Sequence, residues 1–259
     1  MKLSKENLKR LEKKAKALGI GFYTKEFGLN KEITKEQERN KRIIRNEEDF
    51  YYYFKVTKKG LEILGNLENE ISKELIKLEH RNSYFKELVP LINNKIIVPL
   101  CSCKLLLENG YFNEVGVILR SVTDALFLFV YFNKKPKQFQ KWFRGTEFAI
   151  GNIKDELKMK NDPLYLKYKE LCNCTHVKEN MIGGKISAPP NYAINSAFRV
   201  PVFTDISYKK ACIIYVSIII EAINKIGYFS EKYHIITSAN LKKSFQKFVE
   251  EFKTSQHRK

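Results

Sequence analysis

A chain of 259 residues, 44% hydrophobic and 29% charged, is long enough to bury a sizeable core and too apolar and varied for a disordered or low-complexity protein. Its 47 Lys and Arg against 29 Asp and Glu leave a formal net charge of +18, which favours polyanionic partners, nucleic acid or an anionic membrane surface, through counterion release. The five cysteines, Cys101, Cys103, Cys172, Cys174 and Cys212, are odd in number and lack small-domain spacing, and residues 1–7 carry no apolar secretory core, so reduced thiols in a cytoplasm are expected rather than a disulfide scaffold. A Lys-, Ile- and Asn-rich composition is also what an AT-rich genome produces, so charge alone does not decide the partner.

In chain order, residues 4–18 read as an amphipathic helix with Leu8, Leu11, Ala15 and Leu18 on one stripe, Ser4 as N-cap and Gly19 as stop. Residues 20–49 read as irregular, with a short solvated helix within 35–49. Residues 50–57, Phe-Tyr-Tyr-Tyr-Phe-Lys-Val-Thr, are aromatic and β-branched and predict a strand. Leu61, Leu64, Leu67, Ile71, Leu75 and Leu78 then recur at helical spacing. The string YYYFKVTKKGLEIL over residues 51–64 resembles the last strand, turn and closing helix of a winged helix-turn-helix, which would make residues 1–65 a DNA-binding part. A boundary is therefore placed after residue 59: a basic N-terminal module with a helix and a short β element over 1–59, and an all-α multi-helix bundle over 60–259.

In the second part Pro90 and Pro99 suit the first turns of helices, and Asn109-Gly110 suits the end of one. Residues 112–133 predict a helix apolar nearly all round, which belongs at the centre of a bundle. Residues 136–160, with Phe139, Trp142, Phe143, Phe148 and Ile150, predict one helix with a buried stripe, and Pro163 opens another over 163–174. Residues 177–206, with Gly183-Gly184, Pro189-Pro190 and Pro201, read as a long loop. A second very apolar helix is expected over 207–229 and an amphipathic one over 240–254. Residues 115–132 and 211–229 are apolar enough to suggest membrane spans, but Arg120 and Asp124 in the first and Glu221 and Lys225 in the second are expensive in lipid, so no membrane partner is expected.

Arg120 and Asp124 are the anomaly of the apolar helix. Their four-residue spacing places them on one face, and in a partly dry setting each is costly unless paired, which predicts a contact between them. His176 follows the helix over 163–174, where a side chain can meet both core and solvent. Cys101-x-Cys103 and Cys172-x-Cys174, with His176 nearby, raise zinc, but residues two apart on a helix point roughly 200° apart and cannot chelate together. No metal and no cofactor are expected. Gly183-Gly184-Lys185 lacks the setting of a phosphate loop, and His234 and His257 are isolated. Tyr51, Tyr52 and Tyr53 beside Lys55, Lys58 and Lys59 could stack bases or belong to a core.

The order ILRSVTDALFLFVYF, a Trp- and Phe-bearing helix, LCNCTHV and a further apolar helix resembles, over residues 84–230, a family of bacterial helical proteins distantly related to the HEPN superfamily. Members show Arg-Ser-x-x-Glu on a central helix and a later His; the matching positions are Arg120, Ser121, Asp124 and His176, with Asp standing for Glu. The resemblance implies a helical bundle linked to RNA processing, toxin–antitoxin systems or phage defence. In active HEPN ribonucleases an Arg and a His share one short motif, and no Arg of this chain has a His at that spacing.

A metal-independent ribonuclease can be written from the triad: His176 takes the proton of a ribose 2′-hydroxyl, Arg120 stabilises the phosphorane-like transition state, and Asp124 orients them. The alternative is a non-enzymatic nucleic-acid-binding or protein-interaction module in which Arg120, Asp124 and His176 form a structural network. RNA or DNA on the basic surface is the candidate partner, with a homo-oligomer or partner protein as a further candidate.

Overall fold

The computed structural model describes residues 29–77, 83–159, 161–175, 205–233, 235 and 238–256. These form α1 (Leu29–Asn46), α2 (Glu48–Lys77), α3 (Ser83–Ile92), a π-helical turn (Asn93–Ile97), α4 (Val98–Asn109), α5 (Phe112–Lys134), α6 (Pro136–Phe143), α7 (Ile150–Glu156), α8 (Pro163–Thr175), α9 (Asp205–Lys232) and α10 (Ala239–Gln256). No strand occurs among the described residues, and the all-α bundle is the architecture. The helix expected over 4–18 lies outside the described residues, as does the segment 176–204, which holds nearly all of the expected loop; α9 already includes residues 205 and 206.

The strand expected over 50–57 is instead the first two turns of α2, a helix of 30 residues. Period decides this: Phe50, Val56, Thr57, Gly60, Ile63, Leu64, Leu67 and Ile71 are buried and Tyr53 and Phe54 partly so, a three- and four-residue rhythm, whereas Tyr51, Lys55 and Lys58 face out. A strand would bury alternate residues and cut that stripe off from Leu61 onward. With no strand and no turn in residues 51–64, the winged-helix reading of that string is not what forms. The division placed after residue 59 falls inside this continuous helix. Gly60 sits in its middle because the ring of Phe248 on α10 crosses there: a Cβ would stand 2.8 Å from Phe248 Cζ and 3.1 Å from Ile219 Cγ2.

The core is built around α9. The Tyr208 ring meets Phe50 edge-on at 5.4 Å, and Gly60 faces Ile219, so α2 and α9 run side by side in the same direction. On its other flank α9 runs parallel to α5, with Phe112 against Tyr208, Phe129 against Phe229 at 5.3 Å, and Lys232 Nζ donating to the Asn133 carbonyl at 2.7 Å. On these three helices Leu64, Leu126, Phe129, Tyr215, Ile219 and Phe229 are fully buried, each contributing about 1.5–3 kcal/mol by leaving water. α10 returns antiparallel along α2, held by the Lys59–Glu251 ion pair at 2.5 Å and by Ser238 on Glu70. α1 is tied to α4 through buried Asn40, whose amide donates to the Asn109 carbonyl at 3.1 Å.

Helix ends follow local chemistry. Gly110, at φ 86°, ends α4 with the paired bonds Gly110 N to Leu107 O and Tyr111 N to Leu106 O, the expected stop. Residues 136–160 are not one helix: Gly145, at φ 95°, ends α6 in the same way, and Phe139, Trp142 and Phe148 fold around the buried Phe132 ring. Pro99 occupies the first turn of α4 as expected, but Pro90 lies inside α3. The π turn between them sends the Val98 N–H to the Asn93 carbonyl, five residues back, where Pro99 would otherwise crowd a tighter ladder.

Among the described residues three segments, Leu88–Asn109, Glu114–Lys134 and Tyr208–Lys232, are long and apolar enough to cross a membrane by length and composition alone. In the bundle the latter two bury most of their apolar face against one another and against α2 and α8.

Candidate functional site

α5 presents Arg120 and Asp124 toward α8, one turn apart. They form the expected ion pair, Arg120 Nη1 to Asp124 Oδ2, with 18% and 29% of their side chains still exposed, so the pair lies at the rim of the core. α8 brings Tyr168 and Cys172 to the same place, four residues apart on the face that also buries Leu164 and Leu171. Arg120 Nη2 donates to Tyr168 Oη at 2.6 Å, and the guanidinium carbon stands 3.8 Å from the Tyr168 ring centroid. The Phe127 edge meets that ring at 5.4 Å from the core side.

Burial acts against the charge of Arg120, but hydrogen bonding and attraction from Asp124, with help from Cys172, outweigh it and raise its pKa. Tyr168 is pushed up to about 12 by burial, despite the pull of the Arg120 charge in the other direction, and stays a neutral phenol at physiological pH. Three polar atoms of the cluster are out of water without a hydrogen bond, Arg120 Nε, Arg120 Nη1 and Asp124 Oδ1, and of these Nη1 still meets Asp124 Oδ2 as an ion pair. An unmet buried donor or acceptor costs about 1–3 kcal/mol.

One further ring and two further cations extend the cluster along α7 and α8. Tyr165 lies nearly parallel to Tyr168, with centroids 6.2 Å apart and planes 12° apart. Lys154 of α7 stands 4.1 Å from the Tyr168 centroid and 5.2 Å from that of Tyr165, and Lys169 stands 4.9 Å from Tyr165. The structure thus joins Arg120 and Asp124 to Tyr168, Tyr165 and Lys154, which sequence reasoning passed over, and to Cys172, which it weighed only for zinc. The signal was present: Leu164, Tyr168, Leu171 and Cys172 share a helical stripe, and a tyrosine on the core-facing side of a helix needs a partner for its hydroxyl. Ser121 is exposed on α5, and His176 lies outside the described residues.

A second charged group pins α8 to α9. Lys225 Nζ lies 2.7 Å from Asp162 Oδ2 and 3.6 Å from Glu221, and Asp162 Oδ1 accepts the Leu164 N–H at 2.9 Å, capping α8. Burial raises the Glu221 pKa, against the lowering effect of Lys225. The charges in the second apolar helix are therefore matched within the bundle. Away from both groups, a groove of about 660 Å³ runs between α2 and α10, lined by Ile63, Asn66, Asn69, Lys73, Asn240 and Leu241 among others.

Cys101 is exposed and Cys103 buried, the opposed directions expected for residues two apart on a helix. Among the described residues no three His, Cys, Asp or Glu side chains gather as a metal site. Comparison with protein-family models, with curated proteins and with solved structures finds no match.

Proposed function

We propose that this chain is an RNA-directed, HEPN-like bundle protein of the bacterial cytoplasm, serving defence or a toxin–antitoxin pair, in which Arg120 meets a backbone phosphate. The observation that carries this reading is the unsatisfied Arg120 Nε and Asp124 Oδ1 in a cluster that still touches solvent. An ion pair kept for packing alone would have these groups matched, since leaving them unmet gives up stability, and such sacrifices gather at functional sites. RNA carries the complementary chemistry on adjacent atoms. A phosphate oxygen accepts from the guanidinium edge, and a ribose 2′-hydroxyl donates to Asp124 once its carboxylate turns outward. Tyr168 holds the guanidinium flat, so its fork is oriented before the phosphate arrives. His176, next in sequence after Thr175, supplies the imidazole for proton transfer.

The competing reading is architectural and draws on the Phe127–Tyr168 packing, which buries one side of the cluster. Labelled single-stranded RNA incubated with the protein in the presence of a metal chelator separates the two. Cleavage that is lost in Arg120→Lys and in His176→Ala, while both variants melt within a few degrees of the parent, supports the proposal. An inert parent protein, or variants that lose their folded baseline together with any activity, leaves the architectural reading.

A further inference from the structure

We infer that the α7–α8 face bearing Lys154, Tyr165, Tyr168 and Lys169 is a landing track for single-stranded RNA that delivers its backbone to Arg120; this rests on the reading of Arg120 as a phosphate-binding group. The four side chains come from two helices, and the track ends on the guanidinium, because Tyr168 carries Lys154 and Arg120 against the same ring. The charges along it are not equally spent. Arg120 is paired with Asp124, and Lys167 with Glu170 at 3.2 Å. Lys154 and Lys169 meet no carboxylate among the described residues and rest on tyrosine faces instead, so their charge is not neutralised.

A lysine resting on a half-exposed ring is a weakly held one, since a cation on an exposed aromatic face gains little. A phosphate offers it more, because neutralising the strand releases condensed counterions. When Lys154 and Lys169 turn to phosphates, the Tyr165 and Tyr168 faces they leave are free to stack bases. Bases are accessible in this way only in a single strand, because a duplex keeps its faces internally stacked. Exposed Leu166, between the two tyrosines in sequence, adds an apolar edge to the same helix.

Fluorescence anisotropy with a labelled oligouridylate, a matching DNA strand and an RNA duplex, over a series of salt concentrations, tests the track. The variants are Lys154→Gln with Lys169→Gln, Tyr165→Leu, the balanced pair Arg120→Gln with Asp124→Asn, and a control, Lys243→Gln with Lys247→Gln, on exposed positions of α10. Removing two phosphate contacts lowers the slope of log Kd against log salt by roughly 1.4, at about 0.7 per contact for single strands. Tyr165→Leu weakens binding about fivefold or more at nearly unchanged slope. If the α10 control lowers the slope as much as the Lys154 and Lys169 pair does, or if the duplex binds more tightly than the single strand, the track is wrong.

Binding that survives in the track variant and fails in the Arg120 and Asp124 pair removes the track and keeps the phosphate reading. The reverse pattern removes the phosphate reading and with it delivery to Arg120, leaving single-strand binding on the α7–α8 face alone. A parent protein that binds none of the three probes removes both.

Discussion

Replacing Gly60 and Gly65 by alanine, one at a time, sets two opposing effects against each other on a single helix. Both residues lie in the interior of α2, where alanine gains up to about 1 kcal/mol over glycine from helix propensity alone. At Gly65 nothing lies within 4 Å of the new Cβ, so the full gain is expected. At Gly60 the Cβ would stand 2.8 Å from Phe248 Cζ and 3.1 Å from Ile219 Cγ2, closer than carbon atoms pack. Both of those side chains are fully buried between α2, α9 and α10, so neither can step aside into solvent. Overpacking of this kind costs about 1–3 kcal/mol. The expected outcome is a rise in melting temperature of roughly 2–4 °C for Gly65→Ala and a fall of similar size or larger for Gly60→Ala. Urea denaturation of both variants should give the same signs, and Phe248→Leu should restore part of the loss at Gly60. A Gly60→Ala protein as stable as Gly65→Ala would refute the close crossing of α10 over α2.

Asp124→Ala leaves the Arg120 charge unmatched in a place only 18% exposed, and should cost about 1–3 kcal/mol in chemical denaturation, discounted from a fully buried pair because of that exposure. Arg120→Leu with Asp124→Leu, which removes both charges, should recover most of that loss. Glu221 has a raised pKa, so the folded state holds its proton more tightly than the unfolded chain, and this residue's contribution to stability falls as pH rises from the unfolded value of about 4.5 through the folded one. Glu221→Gln should flatten that part of the stability–pH profile, and a profile unchanged between parent and variant would show that Lys225 cancels both the burial effect and the repulsion from Asp162. Burial pushes the thiols of Cys103 and Cys212 up to about 12, whereas Cys101 is exposed. Mass-spectrometric mapping after brief iodoacetamide treatment should find Cys101 modified and Cys103 and Cys212 protected until denaturant is added.

Legibility in the sequence followed how local the determining physics was. The stop at Gly110, the apolar α5 and α9, and the Arg120–Asp124 contact could be read because a left-handed cap, an all-round apolar pattern and an i, i+4 pair are written in adjacent letters. Residues 50–57 misled because their aromatic composition favours a strand, while the period that made them helical is visible only when they are joined to Leu61–Ile71. The end of α7 falls at Glu156, a few residues before the expected 160. Lys158 takes the left-handed position, at φ 53°, that a glycine usually marks. The break between α7 and α8 was still legible from Pro163; what went unread was the stop at Gly145 that separates α6 from α7. Pairings across the bundle, Arg120 with Tyr168 and Lys225 with Asp162, depend on which helices become neighbours, and no spacing along the chain encodes that.

The parallel placement of α2 and α5 on either side of α9 has a consequence for how the chain acquires its shape. Two parallel helices cannot be joined by a tight turn, so the apolar stripe of α2 waits for a partner roughly 150 residues downstream, as Phe50 and Tyr208 illustrate. During synthesis a ribosome that has released everything up to residue 204 has released two oily surfaces and not the rod that fits between them. Arrested or truncated products of this chain should therefore be clients of chaperones and proteases, and the native bundle should arise in one late step when α9 emerges.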